Sequence, residues 1–407
     1  MRSVSIPRAL RAWAVILWAV GAFAVRANAD DLDVAGFVAG EMRVFPAAPK
    51  YPVQRDHALD PSLVLQPELR LKPDENSTLT FIPFARIDAD DVERTHFDLR
   101  EANWFYNAGD WDVRLGIGKV FWGVAESRHL VDIVNQTDLV ESLDEEDKLG
   151  QPMANLNLIT DFGTWSAFVL PYFRERTFAG MKGRPGLALP VAEDIAVFET
   201  GDHERHVDFA LRWQERIDAF DVGVSHFHGL GREPRLVPTV VPGGVVLVPY
   251  YDLIDQTGLD VQATFDAWLL KLEAIVRSGQ GKTFFASVAG FEYTLYQIFD
   301  SAADLGVIGE YHFDGRDATA PFTVFNNDVM VGARLALNDT DDTSFLAGAI
   351  VDVETQTTVG TVEFATRLAE GWNFELEGRF FPYVADGTVQ STFEREHTFE
   401  LRLLRYF

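Results

Sequence analysis

Several windows of this sequence alternate apolar and charged residues with a period of two, and that pattern sets the tightest limit on what the chain can become. In LVLQPELRLK, Leu63, Leu65, Leu69 and Leu71 share one face and Gln66, Glu68, Arg70 and Lys72 the other. WDVRLGIG sets Trp111, Val113, Leu115 and Ile117 against Asp112 and Arg114, and WLLKLEAIVR sets Trp268, Leu270, Leu272, Ala274 and Val276 against Lys271, Glu273 and Arg277. WNFELEGRF repeats the pattern, with Trp372, Phe374, Leu376 and Phe380 opposite Asn373, Glu375, Glu377 and Arg379. Period two sends successive side chains to opposite faces of a strand. These are strands with one greasy and one charged face.

A sandwich packs its greasy faces together, whereas a membrane barrel turns them to lipid. The connections separate the two. About eighteen strand-like segments can be marked, among them 61–73, 77–88, 110–122, 163–174, 205–216, 267–278, 371–383 and 393–407. Tight turns such as 161–162, 338–339 and 370–371 fall at even-numbered links, while 46–60, 123–150, 175–204, 230–251 and 315–326 are long and fall at odd-numbered ones. Short turns at one end and long loops at the other predict an all-β fold, a transmembrane antiparallel up-and-down β-barrel of about 18 strands (roughly 16–18). Pro67, Pro83 and Pro171 each delete a ladder donor and predict bulges or register breaks. Glu101 and Asn103 fall on the parity of Phe97 and Leu99, which predicts a bulge between them. In TWSAFVLPYF both parities are apolar, so the pattern gives that strand no orientation.

The N-terminus reads as a secretory leader. MRSVSIPRALR carries three arginines, an apolar run from Ala12 to Val25 follows, and Ala27 and Ala29 flank Asn28 ahead of a cleavage point before Asp30. The run is shorter than the roughly 20 residues a spanning helix needs. Residues 1–29 are thus expected to be a signal peptide and 30–407 one barrel domain. The chain has a formal net charge of −27, and the leader removes only basic residues from that balance, so nucleic acid is excluded as a partner. With no cysteine, thiolate catalysis, disulfides and Cys-ligated metals are excluded as well.

The sequence ends FELRLLRYF. Phe399, Leu401, Leu403 and Phe407 share one parity, and Thr398, Glu400, Arg402 and Tyr406 the other. A last strand that pairs with the first closes the cylinder and leaves no edge unsatisfied in lipid. An amphipathic final strand ending in Phe resembles that of Gram-negative outer-membrane proteins. The resemblance implies that Phe399, Leu401, Leu403 and Phe407 form the signal read by the barrel-assembly machinery, although Arg405 departs from the apolar residue usual at its place. FDLREANWFYNAGDWDVRLGIGKVFWGVAES also resembles the strand-turn-strand of porins related to alginate-export barrels. That likeness implies the fold, not a substrate, because no residue here identifies a polysaccharide.

Motifs for other chemistry fail on inspection. SGQGKT at 278–283 has Val276 where a phosphate loop needs glycine, and reads as a tight hairpin. His226 and His228 share a face and could ligate a metal, but no third ligand stands near in sequence, so a rim or lumen pair is expected. Ser225 precedes His226, yet adjacent strand residues face opposite ways and no GxSxG elbow occurs. Glu375 and Glu377 could do acid–base work, but read as solvated lumen charges.

The expected bore is lined by Glu68, Arg70, Arg86, Asp98, Arg100, Arg114, Arg212, Lys271, Glu273, Arg277, Glu310, Arg334, Glu375, Glu377, Arg379 and Arg402, with water between them because a cylinder this wide is not filled by its own side chains. The acids in DADDVER and ESLDEEDK are expected to be solvated loop charges, and the 123–150 loop with its apolar HLVDIV piece is long enough to fold into the bore. The reading is an outer-membrane porin of a Gram-negative bacterium, not an enzyme and without a cofactor, passing small hydrophilic solutes. Outer-membrane lipid and lipopolysaccharide surround it, and further copies of the chain are candidate partners in a homo-oligomer. The alternatives are a barrel for export or uptake of a polysaccharide or other specific substrate, and an outer-membrane lipid hydrolase. An energy-coupled receptor with an N-terminal plug is not expected, since strand patterns begin soon after Asp30.

Overall fold

The alternating windows are strands in the computed structural model, which describes residues 32–407; the expected leader, with Ala27 and Ala29, lies outside the described residues. In chain order they are β1 (Leu32–Val44), β2 (Leu59–Leu71), β3 (Ser77–Asp88), β4 (Phe97–Asn107), β5 (Trp111–Gly118), β6 (Gln151–Thr160), β7 (Gly163–Leu170), β8 (Val197–Phe198), β9 (Asp208–Ile217), β10 (Phe220–Leu230) and β11 (Arg235–Val241). There follow β12 (Gly244–Tyr251), β13 (Leu253–Phe265), β14 (Trp268–Gly279), β15 (Gly281–Leu295), β16 (Asp304–Asp314), β17 (Asn327–Ala336), β18 (Ser344–Asp352), β19 (Thr358–Ala369), β20 (Trp372–Tyr383) and β21 (Thr398–Tyr406). Strands β8, β11 and β12 make a small separate sheet in the long loops, to which the sequence reading assigned no strands. The other 18 form one antiparallel sheet, and β21 pairs with β1 from Val44–Phe399 to Phe37–Tyr406, so the sheet closes into a barrel without edges. Among the described residues no helix is long and apolar enough to cross a membrane.

The two ends differ as the link lengths require. The turns at 161–162, 218–219, 266–267 and 370–371 lie at the end carrying Leu32 and Phe407, while 45–58, 119–150, 171–207, 231–252 and 384–397 lie at the other. The turn end is less uniform than expected, since 296–303 and 337–343 are longer links. SGQGKT is the tight hairpin between β14 and β15: only Gln280 separates the strands, and Gly279 and Gly281 adopt φ of 100° and 77°, which a side chain would strain.

The greasy parity faces outward. Leu63 is 52 % exposed and Val276 48 %, while their neighbours Val64 and Arg277 are buried inside. So continuous an apolar belt is not tolerated in water; it fits hydrocarbon. At the turn end the belt is rimmed by outward aromatics: Tyr106 lies 5.7 Å from Trp111, Trp165 6.5 Å from Trp213, Phe220 5.5 Å from Phe265, and Trp268 4.6 Å from Tyr293. Aromatic rings gather at that depth because one edge is apolar and the other wet.

Proline and parity breaks sit where the pattern faltered. The β2–β3 ladder skips from Leu65–Ala85 to Leu69–Phe81, the stretch holding Pro67 and Pro83. Between β3 and β4 the register steps from Ile82–Glu101 to Pro83–Leu99, leaving Arg100 as the extra residue. Asp98 and Arg100 therefore face inward on one side of the bulge, and Glu101 and Asn103 on the other. Strand β7 stops at Leu170 and β5 at Gly118, short of the expected 174 and 122. Pro171 has no donor to continue the first, and the chain after Gly118 turns into the barrel.

Candidate functional site

The interior is organised by residues 119–150. Leu130, Val131, Ile133 and Val134 pack on inward-facing Met153, Phe168, Leu170, Ala210, Phe227, Ile254, Ile275 and Phe284, and Trp122 meets Phe168 edge-on at 5.7 Å. This explains the unorientable strand: β7 turns Trp165 and Val169 to lipid, and Phe168 and Leu170 to the folded-in segment, so both faces are apolar. The segment forms no sheet there, and its peptide groups need other partners. Wall carboxylates supply them. Glu273 accepts the N–H groups of Val124 (2.7 Å), Ala125 (2.9 Å) and Val131 (3.1 Å), and Glu310 those of Glu126 (2.7 Å) and Ser127 (3.0 Å). Arg128 reaches Asp314 at 2.9 Å, and Glu126 bridges Lys271 (3.2 Å) and Arg334.

The returning half of the segment is held by ion pairs on the opposite wall. Asp138 accepts from Arg100 at 2.7 Å, Glu141 from Arg86 at 2.6 Å, and Asp144 from Arg379 at 3.1 Å. Outward of these, Arg94 pairs with Glu41 and Asp88, and Arg43 with Asp60. Burial alone would raise the Asp138 carboxyl, but His96 and Arg100 beside it hold it well below the usual carboxylate range. For His96, burial acts downward and is outweighed by Asp138 and Glu141, so it titrates above its ordinary value. His96, Asp138 and Glu141 stand close enough to share a metal ion. Their carboxylates already carry Arg100 and Arg86, however, and two guanidinium groups beside the cluster oppose a cation there.

What the segment leaves open is a cavity of about 850 Å³ along the wall of β17 to β21. It is bordered near the loop end by Leu236 and Gln390 and toward the turn end by Ser344, Glu375 and Arg402. Glu126, Asp144, Glu146, Glu363 and Glu377 face it beside Arg334 and Arg379, and Met330, Leu346, Ile350 and Val359 give it an apolar panel.

The sixteen wall residues named from the sequence divide into three groups. Arg334, Glu375, Glu377, Arg379 and Arg402 border the cavity. Arg70 and Arg114 border a second recess at the turn end, about 660 Å³, with Glu68 3.4 Å from Arg70. The others are anchors instead of water-lining groups. Arg86, Arg100, Lys271, Glu273 and Glu310 hold the inward segment and Asp98 braces Arg100 at 3.0 Å. Arg212 and Arg277 are tied to Asp260 and Glu233. The expectation of a bore filled mainly by water is corrected accordingly: packed protein occupies a large part of it.

His226 and His228, expected as a rim or lumen pair, lie at the rim and not on the lumen wall, and one further expectation changes. They face outward near the loop end, where His226 contacts Thr257 at 3.0 Å and His228 contacts Asp255 at 2.9 Å, while Ser225 points inward and is buried. The acids of DADDVER and ESLDEEDK are only partly solvated, since Asp88, Asp91 and Glu141 are buried in hydrogen bonds and ion pairs. Sequence reasoning missed Glu126, Asp328, Asp352 and Glu363. The last three sit on the inward parity of β17, β18 and β19, strands whose patterns carry too few charges to show a polar face.

A closed 18-strand antiparallel barrel with outward apolar faces, an aromatic rim and a loop folded inside defines a β-barrel of the outer-membrane type. No family model matches the chain, and no curated protein matches it. Solved structures resemble it in fold. Wzi, an Escherichia coli outer-membrane protein involved in group 1 capsule assembly and described as a carbohydrate-binding β-barrel, is 9% identical, with a TM-score of 0.50 over 96% of this chain and 87% of that one. Mutant forms of a porin from Rh. blastica are also similar, one of them 12% identical with a TM-score of 0.44 over 92% of this chain and 100% of that one. At 9% identity the likeness to Wzi speaks for the fold alone.

Proposed function

We propose that the protein is a channel of the outer membrane of a Gram-negative bacterium, through which small hydrophilic solutes diffuse without a cofactor or chemical step. One observation carries this reading: residues 119–150 are pinned across the interior by wall groups, yet leave the cavity along β17–β21 unfilled. A barrel serving only as a scaffold would gain stability by filling that space. A passage narrowed by an inward segment selects by size and charge, with no moving part. In this reading Phe399, Leu401, Leu403 and Phe407 recruit the assembly machinery, lipopolysaccharide surrounds the loop end, and the relation to alginate-export-type porins remains an expectation carried by the β4–β5 segment. Purified protein placed in a planar lipid bilayer is expected to give stepwise ion conductance. A bilayer that stays silent with correctly folded protein overturns the proposal.

A further inference from the structure

The charges on the cavity wall are largely taken up by the protein itself. Asp328 of β17 and Asp352 of β18 face each other across the ladder, but both are buried and answered by backbone donors. Asp328 accepts the N–H of Asn326 at 2.8 Å, and Asp352 those of Glu354 at 2.8 Å and Thr355 at 2.7 Å. Arg128 is paired with Asp314 at 2.9 Å, Arg379 with Glu377 at 3.2 Å and Arg402 with Glu375 at 3.1 Å, and Glu233 holds Arg277 at 2.7 Å and Arg316 at 2.9 Å. Among the described acids bordering the cavity, Glu146 and Glu363 alone have neither a cationic partner nor a hydrogen-bond donor. An ionic solute finds most of its counter-charges already engaged.

What the protein leaves unsatisfied there is apolar surface. Met330 of β17, Ile350 of β18 and Val359 of β19 are successive cross-strand partners on the inward parity, so they make one apolar row across the wall. The next pair toward the turn end, Gly332 and Gly348, carries no side chain, and the terminal methyl of Met330 lies against both: a Cβ would stand 3.0 Å from it on Gly332 and 3.2 Å on Gly348. Bare backbone beside the row keeps the space open at that depth. Toward the loop end the same cavity is bordered by Leu139, Phe178, Leu187, Leu236, Phe322 and Phe393, drawn from five different links, and Phe322 is 47 % exposed. Apolar side chains gathered on a cavity of about 850 Å³, with few polar groups free, are the lining of a small-molecule site, and exposed apolar patches mark such sites as well. A wholly hydrophilic solute gains nothing from them, whereas an aryl or alkyl group gains by leaving water. Glu363 stands four residues from Val359 on β19, about 13 Å along the strand, where its free carboxylate can accept hydroxyl groups. We infer that the cavity is a binding site on the passage for neutral, water-soluble molecules that carry an aromatic or branched alkyl group, which enters past Phe322 and seats on Met330, Ile350 and Val359 while hydroxyl groups face Glu363. This rests on the channel reading above and names its solute class.

The test is block of the ionic current by phenyl β-glucoside and by methyl β-glucoside, two neutral probes that share a sugar and differ in the apolar group, with the purified, refolded protein in a planar bilayer under potassium chloride. In the wild type phenyl glucoside is expected to reduce the current saturably, with a half-blocking concentration severalfold below that of methyl glucoside. In Ile350→Thr with Val359→Thr, which keeps β-branched side chains in both strands, and separately in Met330→Gln, that concentration should rise toward the methyl glucoside value. Heat-modifiable gel migration shows that each variant has formed a barrel. Equal block by the two glucosides in the wild type, or a phenyl glucoside value unmoved in both folded variants, overturns the inference and leaves the channel standing. Block by benzylammonium or benzoate ions at concentrations where phenyl glucoside has no effect overturns the assignment to neutral solutes. Absence of any ionic current in the folded wild type removes the channel reading itself, and this inference with it.

Discussion

Glu273, on the inner face of β14, accepts the backbone N–H of Val124 at 2.7 Å, joining a wall residue to a loop residue 149 positions away. The same carboxylate also takes Ala125 and Val131. One buried anion thus replaces the hydrogen bonds that a segment outside any sheet would otherwise lack, and charge-assisted bonds of this kind are stronger than neutral ones.

Removing that anion should release the segment without unmaking the barrel. In Glu273→Ala three buried N–H groups lose their acceptor, which costs on the order of 3 kcal/mol, while the strand ladder of β14 is untouched. At pH 6, limited proteolysis is expected to cut within 119–150 in the variant and not in the wild type, with heat-modifiable migration preserved in both. Equal protection in the two proteins would mean that Glu273 is not the anchor.

The apolar half of the docking has its own prediction. Phe168→Ala deletes the ring against which Trp122 packs and leaves a void under the segment, a loss of about 3–5 kcal/mol. The outward neighbour Val169 gives the control, because Val169→Ala removes only a lipid-facing contact. Chemical denaturation in detergent should separate the two variants clearly, with Phe168→Ala the weaker.

Docking on the opposite wall should depend on pH. His96 titrates above its ordinary 6.5 because Asp138 and Glu141 face it on the inward segment. Its stabilising contribution is full below the unfolded value and fades as pH rises through the higher folded one. Asp138 titrates below its ordinary 3.8, so its contribution is present above that value and fades only in stronger acid. The segment is therefore held best between these limits and loosens on the alkaline side. Proteolysis at 119–150 should increase from pH 6 toward pH 9 in the wild type, and in His96→Gln the increase should disappear.

The C-terminal strand allows a test of assembly. Phe399, Leu401 and Leu403 face outward beside Val44, Met42 and Gly40, and Phe407 donates its N–H to Gly36 at 3.1 Å. Deleting Phe407 removes one bond at the closing seam, too little to unfold a finished barrel. If the terminal residue is read during assembly, the heat-modifiable fraction in membranes should fall severalfold, while refolding of the deleted chain in detergent stays efficient. Equal membrane yields would leave Phe407 a purely local role.

The barrel was readable from the sequence because lipid imposes one rule on every strand: the outward parity must be apolar, wherever the strand sits. Leu63–Leu71 and Trp268–Val276 obey it without exception, and the structure follows. The inward parity answers to no single rule. On β2 it meets space and carries Glu68 and Arg70; on β7 it meets Leu130 and Val134 and carries Phe168 and Leu170. Strand β7 was thus opaque until its partner segment was known. HLVDIV was the available clue, an apolar stretch inside a long loop, but the sequence did not say which wall it would cover. Glu363 and Asp352 were hidden for another reason. A carboxylate gains its meaning from the residue across the ladder, and register is a long-range property that parity along one strand cannot supply.

The central claim is that residues 119–150 narrow a conducting barrel. Gly118 and Gln151 are cross-strand partners, so a short Gly–Ser turn can replace the whole segment and still close β5 onto β6. Single-channel conductance of the wild type and of this deletion, measured in the same bilayer and salt, tests the claim most directly. A conducting wild type and a severalfold larger unit conductance in the deletion are the expected result. Equal conductance in the two, with both proteins folded, would contradict it.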